Sequence, residues 1–207
     1  MTEQEVAARF TREGGDYLFV RWGRPIAPVV FGVDDRTLAI VKGGIEAVVT
    51  LAGHEMTETD PELGANLMIF FVRDWDELLE VPALDRLIEG LGPLVARLRA
   101  MGANQYRVFR FDAGDAIRAV FVLVRMDARL DKVPAGTLAL SQAVQTILLW
   151  SDRAFTKRSP LANTADGVIL RPDIAAVIRA GYDPVMPAVA RDTSHALRLA
   201  ARVGRMQ

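Results

Sequence analysis

Three polar residues inside an otherwise apolar segment are the sequence's strongest candidates for a functional site. Ser141, Gln142 and Gln145 interrupt segment 137–150, where the apolar pattern predicts a buried helix. Ser141 and Gln145 are four residues apart and share a helical face, with Gln142 beside them. An unpaired buried polar group costs roughly 1–3 kcal/mol, so these side chains must either pair with neighbours or face a groove. The first alternative makes them packing determinants, and the second makes them a candidate cleft.

A second candidate lies near the start of the chain. Arg21, Trp22 and Arg24 are concentrated where a predicted strand reaches a turn. Arginine and tryptophan are frequent anchors of binding interfaces, so these residues form a candidate binding edge. The alternative is structural, with Trp22 covering the core and both arginines in solvent.

The usual catalytic and metal-binding patterns are missing from the sequence. The chain has no cysteine, which excludes disulfides, cysteine-ligated zinc, iron–sulfur clusters and a cysteine nucleophile. Neither His54 nor His195 has a second histidine four residues away, and no glycine-rich phosphate loop or nucleophile elbow is present. We therefore expect no metal and no cofactor. An acid–base pair among Asp127, Asp131 and Asp152, near element ends, stays open.

Composition bounds the class of protein. The 207 residues are 51% hydrophobic and 25% charged, which predicts one domain, 1–207, with a sizeable core. A net charge of −1 argues against a nucleic-acid partner, and the longest apolar runs are too short to span a bilayer. The polar first residues lack the apolar region of a signal peptide. We expect a soluble protein with no membrane span and favour the cytoplasm, with export the alternative if a signal peptide has been removed.

The elements that must position these residues follow from hydrophobic spacing and turn residues. Strands are predicted at 17–22, 27–33 and 67–72, a hairpin at 105–112 and 116–126, and a polar loop at 151–167. Helices are predicted at 35–52, in pieces up to 102, and at 137–150, 172–180 and 188–205. Strands and helices do not alternate regularly. This order predicts an α+β fold, with a mixed, mainly antiparallel sheet packed against helices.

The run Ser141-Gln142-Ala143-Val144-Gln145 follows a hairpin and precedes the last helices. Zincin metallopeptidases carry their HExxH helix at this place. The chain resembles a family of uncharacterised bacterial proteins, often exported, with a degenerate zincin-like core and a helix that reads Glu-Glu-x-x-Gln. Segment 178–187, with Tyr182-Asp183-Pro184, resembles the family's ending, and the strands at Arg21-Trp22 and at 66–72 resemble its beginning and middle.

The resemblance implies a zincin-like cleft that has lost its zinc ligands and its catalytic base. Ser141 would stand in place of the first zinc ligand, Gln142 of the catalytic base and Gln145 of the second ligand. Serine is a poor zinc ligand, and glutamine cannot take a proton from water as glutamate does. The expected function is that of a non-catalytic zincin-like protein that binds a peptide or protein segment in its cleft, by strand addition to a sheet edge.

Two other classes of function remain open. One is a hydrolase with an unrecognised Asp- or Ser-based site, or with a metal held by carboxylates and a distant histidine. The other is a structural subunit, which would carry a large apolar patch at a symmetric interface.

Overall fold

A four-stranded sheet lies at the centre of the computed structural model, which describes residues 1–165 and 167–206. The strands are β1 (Phe19–Val20), β2 (Pro28–Phe31), β3 (Leu67–Val72), β4 (Gln105–Phe111), β5 (Ile117–Arg125), β6 (Leu161–Thr164), β7 (Gly167–Leu170) and β8 (Val189–Ala190). The helices are α1 (Glu3–Ala8), α2 (Asp35–Ala52), α3 (Glu77–Glu80), α4 (Leu84–Leu87), α5 (Leu91–Ala100), α6 (Ala135–Ile147), α7 (Pro172–Gly181) and α8 (Ser194–Met206).

The central sheet has the order β2-β3-β5-β4. β2 and β3 are parallel, β3 and β5 are parallel, and β4 closes the sheet as an antiparallel edge strand hairpinned to β5. Two further antiparallel pairs, β1–β8 and β6–β7, lie outside it. The expected α+β class with a mixed sheet is confirmed. Three of the five described pairings are antiparallel, although the central sheet itself has two parallel pairings and one antiparallel.

Strand β3 is buried along its whole length, as its continuous apolar run predicted. Because side chains alternate along a strand, Leu67, Ile69 and Phe71 contribute to the core beneath α2 and α6. Met68 and Phe70 contribute to a second core with Trp75 and α5 on the opposite face. The sheet is therefore covered by helices on both sides.

Helix α2 connects β2 to β3 and has the predicted bounds, 35–52. The Asp34 side chain accepts a hydrogen bond from the Thr37 amide at 2.7 Å, and Gly53 ends the helix with a left-handed φ of +66°. Just before this helix, Gly32 has a φ of +80° and lies against β3. A β-carbon at Gly32 would lie 1.9 Å from the carbonyl oxygen of Phe71.

Four predicted segments differ from the structure. The strand predicted at 17–22 is only two residues long and pairs with β8, because the turn at 23–25 does not fold it back onto β2. The predicted loop 151–167 contains β6, and segment 188–205 divides into β8 and α8. The helix predicted to reach residue 150 ends at Ile147, since the chain then runs extended and the Leu149 amide donates to the Val20 carbonyl.

The first and last elements of the domain lie together. Val6 of α1 and Phe10 just after it share one buried core with Leu199 and Val203 of α8. The adjacent β1–β8 pairing joins the same two regions of the chain.

The described residues include no helix whose length and apolar character would let it cross a membrane.

Candidate functional site

A cavity of about 460 Å³ lies between edge strand β4 and the C-terminal half of α6. Because side chains alternate along the strand, Gln105, Arg107 and Phe109 share one side of β4, and all three line this cavity. Gln145 of α6 and Arg12 also line it, and segment 149–156 contributes much of the remaining wall. We call this cavity the Arg107 pocket.

Arg107 is held by two amide side chains at the wall of this pocket. Its Nη2 donates to the Oε1 atom of Gln142 at 2.6 Å and to that of Gln105 at 3.3 Å. Gln142 Nε2 in turn donates to Gln105 Oε1 at 2.9 Å. Gln142 is 0% exposed, so this network connects the edge strand to the interior of the helix layer.

The positive charge of Arg107 has no acidic partner within residues 1–165 and 167–206. None of the ion pairs in this part of the chain includes Arg107. Its Nε is buried there without a hydrogen-bond partner. Burial lowers the pKa of Arg107 to about 10, which still leaves the group protonated at neutral pH. A half-buried cation whose hydrogen bonds go to neutral amides is energetically unfavourable.

Arg12 places a second guanidinium on the same pocket. Its Nη1 donates to the Trp150 carbonyl at 2.8 Å, and its Nη2 donates to the Leu149 carbonyl at 3.4 Å. Burial lowers the pKa of Arg12, and the nearby Asp152 carboxylate opposes this shift. Asp152 also lines the pocket. Two cationic side chains and one carboxylate therefore surround the cavity.

The three polar residues predicted on α6 have different environments. Gln142 lies behind the pocket wall as the partner of Arg107, whereas Gln145 lines the pocket itself. The Gln145 Nε2 donates to the Ser141 Oγ at 2.9 Å. Gln142 therefore pairs with its neighbours, as a packing determinant would, whereas Gln145 faces a cavity, as a cleft residue would.

The residues of the candidate binding edge are engaged in contacts within the domain. Trp22 is 1% exposed, and its indole Nε1 donates to the Thr146 carbonyl at 2.8 Å. The Arg21 guanidinium lies 5.2 Å from the ring centroid of Tyr182. Arg24 pairs with Asp60 at 3.4 Å and with a neighbouring glutamate. These contacts favour a structural role for the three residues, although both arginines are half-buried and do not lie in solvent as the structural alternative expected.

The two histidines lie in separate structural contacts. The His54 Nε2 is 2.9 Å from the Arg24 carbonyl oxygen, and the His195 Nδ1 is 2.8 Å from the Tyr17 hydroxyl. Across residues 1–165 and 167–206, no three His, Asp or Glu side chains are grouped so that they could hold a metal ion.

His195 should make the protein less stable in mild acid. Burial lowers its pKa from 6.5 to about 4, so the folded state binds a proton less readily than the unfolded state. Stability is therefore lost as pH falls from 6.5 towards 4, by roughly 2–3 kcal/mol. Burial also lowers the pKa of His54, so protonation of His54 should reduce stability in acid as well. Urea unfolding, followed stepwise from neutral pH down to about pH 4.5, measures the decline.

The matched control is His195→Gln, which keeps a polar group beside Tyr17 but cannot titrate in this range. Its unfolding free energy should fall less steeply than that of the wild type over the same pH interval. Equal slopes for the two proteins would show that His195 gains its proton without penalty in the folded state.

A second cavity, of about 420 Å³, lies where β2 and β3 end and α2 begins. Its polar groups are already paired. Asp34 caps α2, Glu77 accepts from the amides of Arg73 and Asp74, and Arg73 pairs with Asp131 at 2.9 Å. The carboxylates of Asp34 and Glu77 are exposed to solvent and Arg73 is ion-paired, so none of these charges needs a ligand, and the Arg107 pocket is the stronger candidate.

The aspartates considered as an acid–base pair do not share a pocket wall. Asp127 accepts from the amides of Arg129 and Leu130, and Asp131 pairs with Arg73. Of the three, Asp152 is the one that lines the Arg107 pocket.

Comparison of the chain with protein-family models, with curated proteins and with solved structures finds no match. Function must therefore be inferred from the geometry of the Arg107 pocket and of the strand beside it.

Sequence reasoning missed Arg12 and Arg107. The relevant pattern is the alternation in 105–111, which places Gln105 and Arg107 on the same strand face as Phe109. That pattern shows which residues share a face but not what covers the face.

Proposed function

We propose that this protein is a non-catalytic, zincin-like binding protein that holds an extended peptide or protein segment along edge strand β4, beside the Arg107 pocket. One observation carries the proposal. The backbone groups on the free edge of β4 and the side chains that line the pocket belong to the same residues.

The edge geometry follows from the strand register. The Asn104 carbonyl accepts from the Arg125 amide at 2.8 Å, and antiparallel pairing alternates between bonded and non-bonded residue pairs. Tyr106 and Val108 therefore direct their backbone groups towards β5. Gln105, Arg107 and Phe109 direct theirs to the opposite side, where no other described strand pairs with β4.

An added strand would use both features at once. Its backbone would bond to the outward N–H and C=O groups of β4, which is the usual source of affinity in strand addition. Its alternate side chains would reach the pocket through the face that Gln105, Arg107 and Phe109 share. Backbone bonding supplies affinity for extended segments in general, and the pocket supplies selectivity.

The polar side chains of α6 support a binding role rather than catalysis. Ser141 and Gln145 bond to each other, and the Gln142 amide is occupied by Arg107 and Gln105. None of the three is a titratable group that could activate water. The order of a hairpin, then α6, then α7 and α8 agrees with the zincin resemblance on which the proposal also draws.

Amide hydrogen exchange tests the edge-strand proposal. In the free protein, the amides of Gln105, Arg107 and Phe109 should exchange much faster than those of Tyr106 and Val108, which bond to β5. A peptide selected from a random library for binding should slow the exchange of the first set, because its backbone bonds to them. NMR resolves exchange at single residues.

The internal control is the second set of amides, whose exchange should change little. Strong protection confined to residues outside β4 would place the peptide elsewhere and contradict the proposal. A library that yields no binder, against a positive control selected on a known peptide-binding domain, would count against it as well.

A further inference from the structure

We propose that the Arg107 pocket binds the carboxylate of an acidic side chain in the segment held on β4, with Arg107 and Arg12 as its cationic partners. This inference rests on the proposed function and adds the chemical class of the ligand, which is an acidic peptide. Carboxylate–guanidinium pairing is among the strongest hydrogen-bonded contacts that proteins use.

The incomplete bonding of Arg107 is the first reason to expect an anion. The hydrogen bonds it donates within the described residues all leave from Nη2, and both acceptors are neutral amides. These amides fix the orientation of the guanidinium without neutralising it. The group is therefore preorganised for a partner that the described part of the chain does not provide.

The charge of the lining is the second reason. Within the described residues Arg12 donates to backbone carbonyls and forms no ion pair, and Asp152 is the carboxylate on the same wall. Two guanidiniums and one carboxylate leave one positive charge. A single carboxylate neutralises it, whereas a phosphate dianion would leave one excess negative charge and face about twice the repulsion from Asp152.

The location of the pocket favours a side chain over a free small anion. Phe109, Trp150 and Phe155 provide aromatic walls beside the two guanidiniums. Such walls suit the methylene groups of a glutamate, with the carboxylate directed to Arg107. Because Arg107 also presents outward backbone groups on β4, a strand bound at that edge brings an alternate side chain to the pocket.

The experiment compares two end-capped peptides of alternating threonine and valine, identical except for one central glutamate or glutamine. Capping removes terminal charges, so the glutamate is the one carboxylate. By calorimetric titration, the glutamate peptide should bind the wild-type protein at least about ten-fold more tightly. Arg107→Met should abolish this preference and Arg12→Met should reduce it. The matched control is Arg110→Met, which removes an arginine from the opposite face of the same strand and should leave the preference unchanged.

The outcomes separate the two proposals. Equal binding of both peptides, with protection of the β4 amides, would overturn the carboxylate inference and leave the edge-strand function standing. If neither peptide binds, a single glutamate blocked at both ends serves as the probe. Perturbation of the Arg107 side-chain NMR signals by this probe would support carboxylate binding in the pocket and count against strand addition at β4. No perturbation would overturn the carboxylate inference.

If Arg107→Met does not fold, Arg107→Gln replaces it. A preference for the glutamate peptide that survives this change would also overturn the inference.

Discussion

Gln142→Leu is expected to lower the free energy of unfolding by about 3 kcal/mol, and adding Arg107→Met to it should restore the lost stability. The single change removes the 2.6 Å acceptor of Arg107 and leaves a half-buried guanidinium with one long contact, to Gln105. A charge held away from water that loses its partner is no longer compensated for its desolvation. The double change removes the charge as well, and Gln105 can turn to solvent.

Urea unfolding of the wild type, the two single variants and the double variant gives the coupling between the positions. We expect the double variant to be as stable as the wild type, or more stable by about 1 kcal/mol, because apolar replacements of buried charges are often neutral or stabilising. The control is Gln145→Leu on the same helix, whose side chain bonds to Ser141, and it should cost less than about 1 kcal/mol.

This cycle also distinguishes two roles for Arg107. A residue kept for stability would make the double variant clearly weaker than the wild type. A residue kept for binding gives a double variant that is stable but lacks the preference for the acidic peptide, which is the usual conflict between stability and function at a binding site. A double variant as unstable as Gln142→Leu would show that the charge of Arg107 is not the source of the cost.

Gly32→Ala is expected to destabilise the protein by at least about 3 kcal/mol. The φ of +80° is strained for any residue with a β-carbon, and that carbon would overlap the Phe71 carbonyl oxygen at 1.9 Å. Relief requires β2 and β3 to separate where their parallel pairing ends at Phe31 and Phe70. A backbone atom, unlike a flexible side chain, cannot move aside cheaply.

The matched control for this variant is Gly43→Ala, an exposed position inside α2 where an added methyl group would meet open space. It should raise stability by about 0.5–1 kcal/mol, because alanine loses less backbone entropy than glycine in a helix. Thermal or urea unfolding measures both changes. A Gly32→Ala protein within about 1 kcal/mol of the wild type would show that the β2–β3 junction accommodates the methyl group.

The elements that the sequence predicted are those with local determinants. Asp34 and Gly53 mark the ends of α2, and the unbroken apolar run of β3 needs burial on both faces wherever the strand lies. The hairpin of β4 and β5 is likewise determined by neighbouring segments and the turn between them. Each of these elements can therefore be predicted without information about distant residues.

The elements that it did not predict depend on distant partners. β1 and β8 have two residues each and exist as strands because they pair with each other across most of the sequence. Strand β6 has half-exposed and exposed side chains, so no hydrophobic alternation marks it, and only its pairing with β7 defines it. Short polar strands of this kind are not distinguishable from loops by pattern alone.

Of the candidate site, the sequence indicated only the residues that stand out from their immediate neighbours. The polar cluster on α6 stands out locally because its neighbours are apolar, and Gln145 does face the pocket. Arg107 does not stand out, since arginine on an edge strand is commonly solvated. Only the position of α6 above that strand face, which no local pattern fixes, shows that Arg107 meets Gln142 rather than water.

The contact between α1 and α8 has a consequence for the order of folding during synthesis. The four strands of the central sheet lie within residues 28–125, so the sheet can form while the rest of the chain is still being made. Val6 and Phe10 complete their core with α8 only after residue 203 has been made, roughly ten to forty seconds after β1 at ordinary rates of translation. During that interval the apolar side chains of α1 lack the part of their core that α8 provides. We therefore expect the domain to mature in two stages, with the first segment of the chain as the last to be locked in place.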